Sequence, residues 1–195
     1  MSEHPEARPM ARPILGVHHG AFRCRDAAQT VWFYSDVLGL VDPAAITLEE
    51  VTGTGEQDPY MHLFFKMKNG EYLAFFDAPG SADPAWLERK ESFDLHWAFE
   101  VGSMDDLLQM QKRIGSFGVS ALGPVDHGMI TSIYMYDPNG IQIELTVRNP
   151  DHDAIMDGEV KAFAPMLEEW TARTRDQKVA KFGAEAIDRR SRKKV

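Results

Sequence analysis

The chain has one cysteine, Cys24, in 195 residues, so no intrachain disulfide can form and nothing points to an oxidising compartment. It has no run of ~18 apolar residues of the kind that crosses a bilayer as a helix, and residues 1–13 hold no apolar stretch resembling the core of a secretory signal. Basic residues are the minority: 21 Lys and Arg against 30 Asp and Glu give a formal net charge of -9. A surface of that sign does not collect phosphates, which argues against nucleic acid and leaves small molecules as the default ligands. Together these absences predict a cytoplasmic protein with neither a membrane nor a nucleic-acid partner.

Apolar residues make up 44% and charged residues 26% of the chain, the balance of a globular protein. The length suits one domain or two small modules sharing a core. Residues 1–13 read as a disordered leader. A strand is expected from Ile14 to Cys24, then a helix capped by Asp26 that carries Ala27, Val31, Tyr34 and Leu38 inward and stops at Gly39. A short apolar run near Ile46 and a polar, Gly-rich stretch follow. Two further strands, from Tyr60 to Lys68 and from Tyr72 to Ala78, are joined by the hairpin signal Asn69-Gly70. This is a βαβββ order over residues 14–80.

After a linker at 81–92 the order recurs over 93–148. A strand runs from Phe93 to Val101, and a capping-box-like start at Ser103 opens a helix carrying Leu107, Gln111 and Ile114. Strands from Val119 to Val125, Ile130 to Tyr136 and Ile141 to Val147 follow, the last after the turn Asp137-Pro138-Asn139-Gly140. His19 lies seven residues before the N-cap Asp26, and His96 seven before the N-cap Ser103, a shared spacing that supports the repeat. Residues 149–195 form a C-terminal extension: a helix from Val160 to Lys181 with Phe163, Leu167, Trp170 and Thr174 at helical spacing, packed on the body or on a second subunit, then a basic tail from Arg189.

Strand parity selects the candidate site residues, because alternate side chains face opposite sides of a sheet. Leu95, Trp97 and Phe99 share the packed face, so His96 points the other way. Ile141, Ile143 and Leu145 are packed, so Glu144 lines the polar face. His19 shares parity with Ala21 and Arg23, and the common spacing favours it over His18. By the same rule Cys24 falls on the packed face, as a small core residue rather than a reactive thiol. Two imidazoles and one carboxylate form a facial triad that leaves adjacent positions open on Fe(II) or Mn(II), where a substrate with two neighbouring oxygens can chelate.

The segments Val17-His18-His19 with Asp26, Phe33-Tyr34 to Leu38-Gly39-Leu40, His96-Trp97-Ala98-Phe99 and Asp137-Pro138-Asn139-Gly140 leading to Glu144 resemble the vicinal oxygen chelate superfamily. The resemblance implies an α+β fold in which two tandem βαβββ modules form a curved, partly closed mixed sheet around a metal cavity, plus the C-terminal helix. It also implies His19, His96 and Glu144 as the metal ligands. Asp126-His127-Gly128 through Ile133-Tyr134, continuing to Glu144, is similar to the signature of type I extradiol ring-cleavage dioxygenases. Carried over, His127 would sit beside a bound catecholate and Tyr134 would hydrogen-bond a substrate oxygen. The implied function is Fe(II)-dependent cleavage of a catechol-like aromatic with O2, in a homodimer.

Those enzymes carry a further acid-base histidine in the stretch that reads Asn69-Gly70-Glu71-Tyr72-Leu73 here. His62, Glu71 or Tyr72 are the candidates to replace it. A glyoxalase-type lyase or isomerase is the alternative within the superfamily; it uses a fourth protein ligand, whose position falls near the apolar Ala74 or Phe75. A sequestering protein that traps a small molecule without turning it over is the non-catalytic alternative.

Overall fold

The computed structural model describes residues 14–189, so the leader assigned to 1–13 and most of the basic tail lie outside the described residues. Asp26 caps the first helix as expected, its carboxylate accepting from Gln29 N at 2.7 Å. The helix α1 (Ala27–Val31) runs directly into a π-helical turn, Trp32–Val37. The wider turn, with Leu38 N donating to Phe33 O at 3.0 Å, brings Phe33, Tyr34 and Val37 all into the core.

The strands are β1 (His19–Cys24), β2 (Ala44–Glu50), β3 (Gln57–Lys66) and β4 (Tyr72–Asp77), then β5 (His96–Glu100), β6 (Leu122–Asp126), β7 (Ile130–Tyr136) and β8 (Gln142–Arg148). The helix α2 (Met104–Ser116) lies between β5 and β6. The eight strands make two four-stranded mixed sheets, ordered β1-β4-β3-β2 and β5-β8-β7-β6. In each, the first strand of the module pairs parallel with the fourth. The α+β architecture of two tandem βαβββ modules is therefore present, with the C-terminal helix.

Both leading strands start later than the sequence pattern implies, and register gives the reason. His19 is the first β1 residue with a partner, Tyr72, because β4 begins only after the Asn69-Gly70 turn. Ile14 and Leu15 have nothing to pair with and are exposed; Val17 N donates instead to Glu71 Oε1 at 3.0 Å. Likewise His96 is the first β5 residue paired, with Gln142, and Phe93 stands in solvent.

The chain divides into two compact units, residues 14–125 with Ser132–Val147, and Asp126–Thr131 with 148–189. In the first, Phe65, Leu73 and Phe75 from one module share a core cluster with Leu107, Ile114, Ile133 and Ile143 from the other. Gly20 sits where a Cβ would come within 2.7 Å of the Trp97 ring, so β1 and β5 approach closely only because the side chain is missing. In the second unit, α3 (His152–Phe182) and α4 (Ala184–Asp188) are tied by Arg175, whose guanidinium donates to both Asp188 carboxylate oxygens at 2.9 and 3.1 Å.

A polar cluster crosses the apolar core. Tyr34 OH donates to Asp137 Oδ2 at 3.0 Å. Asn139 Nδ2 donates to the same oxygen and to Thr30 Oγ1, and Arg25 N donates to Asn139 Oδ1 at 2.9 Å. The Asp137-Pro138-Asn139-Gly140 turn thus docks the second module onto the helix of the first. Tyr34→Phe leaves a buried carboxylate short of one donor and should lower unfolding free energy by about 1–3 kcal/mol in urea titration, with the denaturant slope unchanged. Burial pushes the Cys24 thiol up to about 11, so the native chain should resist Ellman's reagent at pH 8 and react once unfolded.

Candidate metal centre

Strand parity separates packed from open side chains on β5 and β8. On β5, Trp97 and Phe99 pack against the core while His96 turns to the open face of the second sheet. On β8, Ile143 and Leu145 are in the core, and Glu144 lies on the same open face as His96. His96 Nε2 is 2.5 Å from Glu144 Oε2, a contact in which the ring N–H donates to the carboxylate. Tyr134 OH donates to the other oxygen, Glu144 Oε1, at 3.1 Å. Glu144 is 4% exposed, so these two donors compensate a charge removed from water. Burial, then the Glu144 carboxylate, raises the Tyr134 phenol above the ordinary tyrosine value and keeps it protonated.

His19 also turns to the open face, but of the first sheet. Its ring Nδ1 is 2.7 Å from His18 Nδ1, and its ring packs edge-on against His62 and Phe64 with centroids 5.9 Å away in each case. Among the described residues no three His, Cys, Asp or Glu side chains come close enough to hold one ion. The structure therefore brings together His96, Glu144 and Tyr134, while the neighbours of His19 are His18, His62 and Phe64. His127 belongs to the second unit, in a turn where its N–H donates to Ile130 O at 2.8 Å and Gly128 N donates to Asp126 Oδ1.

Register identifies the first-module position that corresponds to Glu144. Ala98 is opposite Glu144 in the second module, and its counterpart Ala21 is opposite Ala74 in the first. Ala74, rather than Phe75, thus matches Glu144, and it is fully buried; a methyl group offers no lone pair to a metal. Of the candidate replacements for the acid-base histidine, Glu71 is committed: Oε1 accepts from Val17 N and Oε2 from Asn69 Nδ2. Tyr72 lies beside His18, ring centroids 5.8 Å apart.

Two features escaped sequence reading. Tyr60, His62, Phe64 and Phe76 form an aromatic face on the first sheet, with His62 stacked 3.9 Å from Phe76 and 4.1 Å from Phe64. The pairs Phe64-Phe65 and Phe75-Phe76 put an aromatic on each side of the sheet, which hides the alternation that would have revealed this face. Second, Gln142, paired with His96 in register, has a buried Oε1 without a hydrogen-bond partner, as has His62 Nε2. A buried acceptor beside His96, and a His–Glu contact in which a proton occupies the place of a cation, fit a divalent ion at His96 and Glu144 with one further donor to be supplied.

A model of the Glyoxalase/Bleomycin resistance protein/Dioxygenase superfamily matches residues 16–145, and the chain belongs to that superfamily. Over 122 residues it is 30% identical to biphenyl-2,3-diol 1,2-dioxygenase 3 of Rhodococcus globerulus, a match covering 63% of this chain and 57% of that protein. The chain thus spans little more than half the length of this relative. Among solved structures, a glyoxalase/dioxygenase from Nostoc punctiforme has a TM-score of 0.53 at 25% identity, covering 73% of this chain and 98% of that one. A mutant of the fosfomycin resistance protein FosX from Listeria monocytogenes, complexed with Mn(II), has a TM-score of 0.51 at 20% identity, covering 73% and 99%; this likeness is one of fold.

The Glu144 pairings give a direct expectation. Tyr134→Phe removes one of the two donors to a nearly buried carboxylate, so it should cost about 1–3 kcal/mol in thermal or urea unfolding without metal. Glu144→Gln, which removes the charge, should cost less than Glu144→Ala.

Proposed function

We propose that this protein is a metal-dependent dioxygenase of the extradiol type, cleaving a catechol-like aromatic with O2, and that His19, His96 and Glu144 hold the ion. The observation that carries the reading is the convergence of His96, Glu144 and Tyr134 on one open sheet face. Similarity to a biphenyl-2,3-diol dioxygenase supports ring cleavage as the chemistry. Ala74 at the fourth position supports three protein ligands over the four of an isomerase. We assign the third donor to His19, on the strand whose Gly20 meets Trp97 beside His96.

Bound Fe(II), or Mn(II), would supply Lewis acidity to a chelated catechol and an electron path from it to O2. The side chains have separable tasks. Glu144 neutralises charge at the ion, and this would release Tyr134 OH to donate to a substrate oxygen. His127 is the candidate partner of the bound catecholate. His62 takes the proton-transfer role left vacant at the Glu71 position, since Glu71 braces Val17 and Asn69. The aromatic face at Phe64 and Phe76 offers a flat apolar wall to the substrate ring.

That same wall favours a second reading, a protein that sequesters an aromatic molecule without turning it over. One experiment separates the two: anaerobic loading with Fe(II), metal analysis, then O2 uptake with a panel of catechols. Ring cleavage predicts one O2 consumed per catechol lost, and at least tenfold weaker metal retention in His96→Ala and Glu144→Ala. Tight catechol binding with no O2 uptake, or tightly held Zn with the catechol recovered unchanged, contradicts the dioxygenase.

A further inference from the structure

The helix α3 has no buried residue along its 31-residue length. A helix is held in water mainly by covering an apolar stripe rather than by propensity, and this one carries such a stripe. Met156, Val160, Phe163, Leu167, Trp170 and Thr174 recur at alternating steps of four and three, the repeat that keeps one seam facing a partner helix. Met156, Val160, Phe163, Leu167 and Trp170 are 39%, 73%, 60%, 49% and 50% exposed. Pro165 falls opposite the seam at 3.6 residues per turn, where its ring does not interrupt the contact face.

Charge along the helix selects the occupant. The N-terminal part carries Asp153, Asp157 and Glu159 against one cation, Lys161, and the C-terminal part carries Arg173, Arg175, Lys178 and Lys181 against Glu168, Glu169 and Asp176, so the two ends differ in sign. Two such helices side by side and parallel would set like charge on like. Reversed, they set Glu159 near Arg173 of the other copy and Asp157 near Lys178, while Val160 meets Trp170 and Phe163 meets Leu167. At roughly 100 Å² of exposed apolar area for each of the five large residues, pairing two stripes buries on the order of 1,000 Å² in total, the size at which a specific interface begins.

We propose that α3 is a dimerisation helix that pairs antiparallel with α3 of a second copy of this chain, centred near Pro165 and Met166. The proposal stands on the helix alone and does not depend on what the site catalyses. In this register Met166 of each copy flanks the other, Val160 residues are about 15 Å apart along the axis, and Ala172 points away from the seam.

The test is cysteine cross-linking of the full chain, whose native Cys24 is buried. Met166→Cys treated with a short bismaleimide should give at least tenfold more covalent dimer than Ala172→Cys or Val160→Cys. Adding Phe163→Asp and Leu167→Asp should bring the yield to the Ala172→Cys level, with circular dichroism confirming that the sheets remain folded. Equal yields at 166 and 172 mean that the stripe meets no second copy and overturn the proposal. So does a yield at 166 that survives the double substitution. Preferential linking through Val160→Cys would show parallel pairing, and also overturns it.

Discussion

The arrangement of the two modules depends on one buried carboxylate. Asp137 is 5% exposed and accepts four hydrogen bonds, from Tyr34 OH, Asn139 N, Asn139 Nδ2 and Ile141 N. Burial nevertheless raises its pKa, so desolvation outweighs the donors and the charged form carries a cost at neutral pH. That cost is present above the raised pKa and is relieved as pH falls through it. What the cluster gives in exchange is register. The donors come from both modules and from the turn itself, and a shifted docking would leave them unpaired in an apolar core, a penalty of several kcal/mol.

Around this point the other cross-module contacts align. Arg113 of α2 donates to Val37 O and Asp36 O at the end of the first helix. Lys90 N donates to Gly140 O at 2.8 Å, and a Cβ at Gly140 would collide with Glu88 O, so the stretch between the modules is held against the turn. The packed faces of both sheets are committed to the shared core, and the open faces carry His19 on β1 and His96 with Glu144 on β5 and β8.

Much of this was legible in the sequence. Periodicity gave the βαβββ order twice, and parity alone put His96, Glu144 and Tyr134 on one face, because Trp97, Phe99, Ile143 and Leu145 leave no ambiguity about which side is packed. Capping residues marked Asp26 and Ser103 correctly. Strand starts were less legible, since pairing begins where the partner strand emerges from its turn, a non-local condition that Ile14 and Phe93 cannot report. The neighbours of His19 were not legible either: spacing places a residue on a strand, but its contacts with His18, His62 and Phe64 follow from how the strands of the first sheet pair. The Asp137-Pro138-Asn139-Gly140 turn was read as part of an enzyme signature, and the structure gives it a second task as the clamp.

In the proposed function His19 and His96 serve the same ion. Electron spin echo spectroscopy of the Mn(II)-loaded chain counts coordinated imidazole nitrogens directly. Two imidazoles per ion are expected, falling to one in either His19→Ala or His96→Ala. A single imidazole in the unmodified protein, unaffected by His19→Ala, would contradict it.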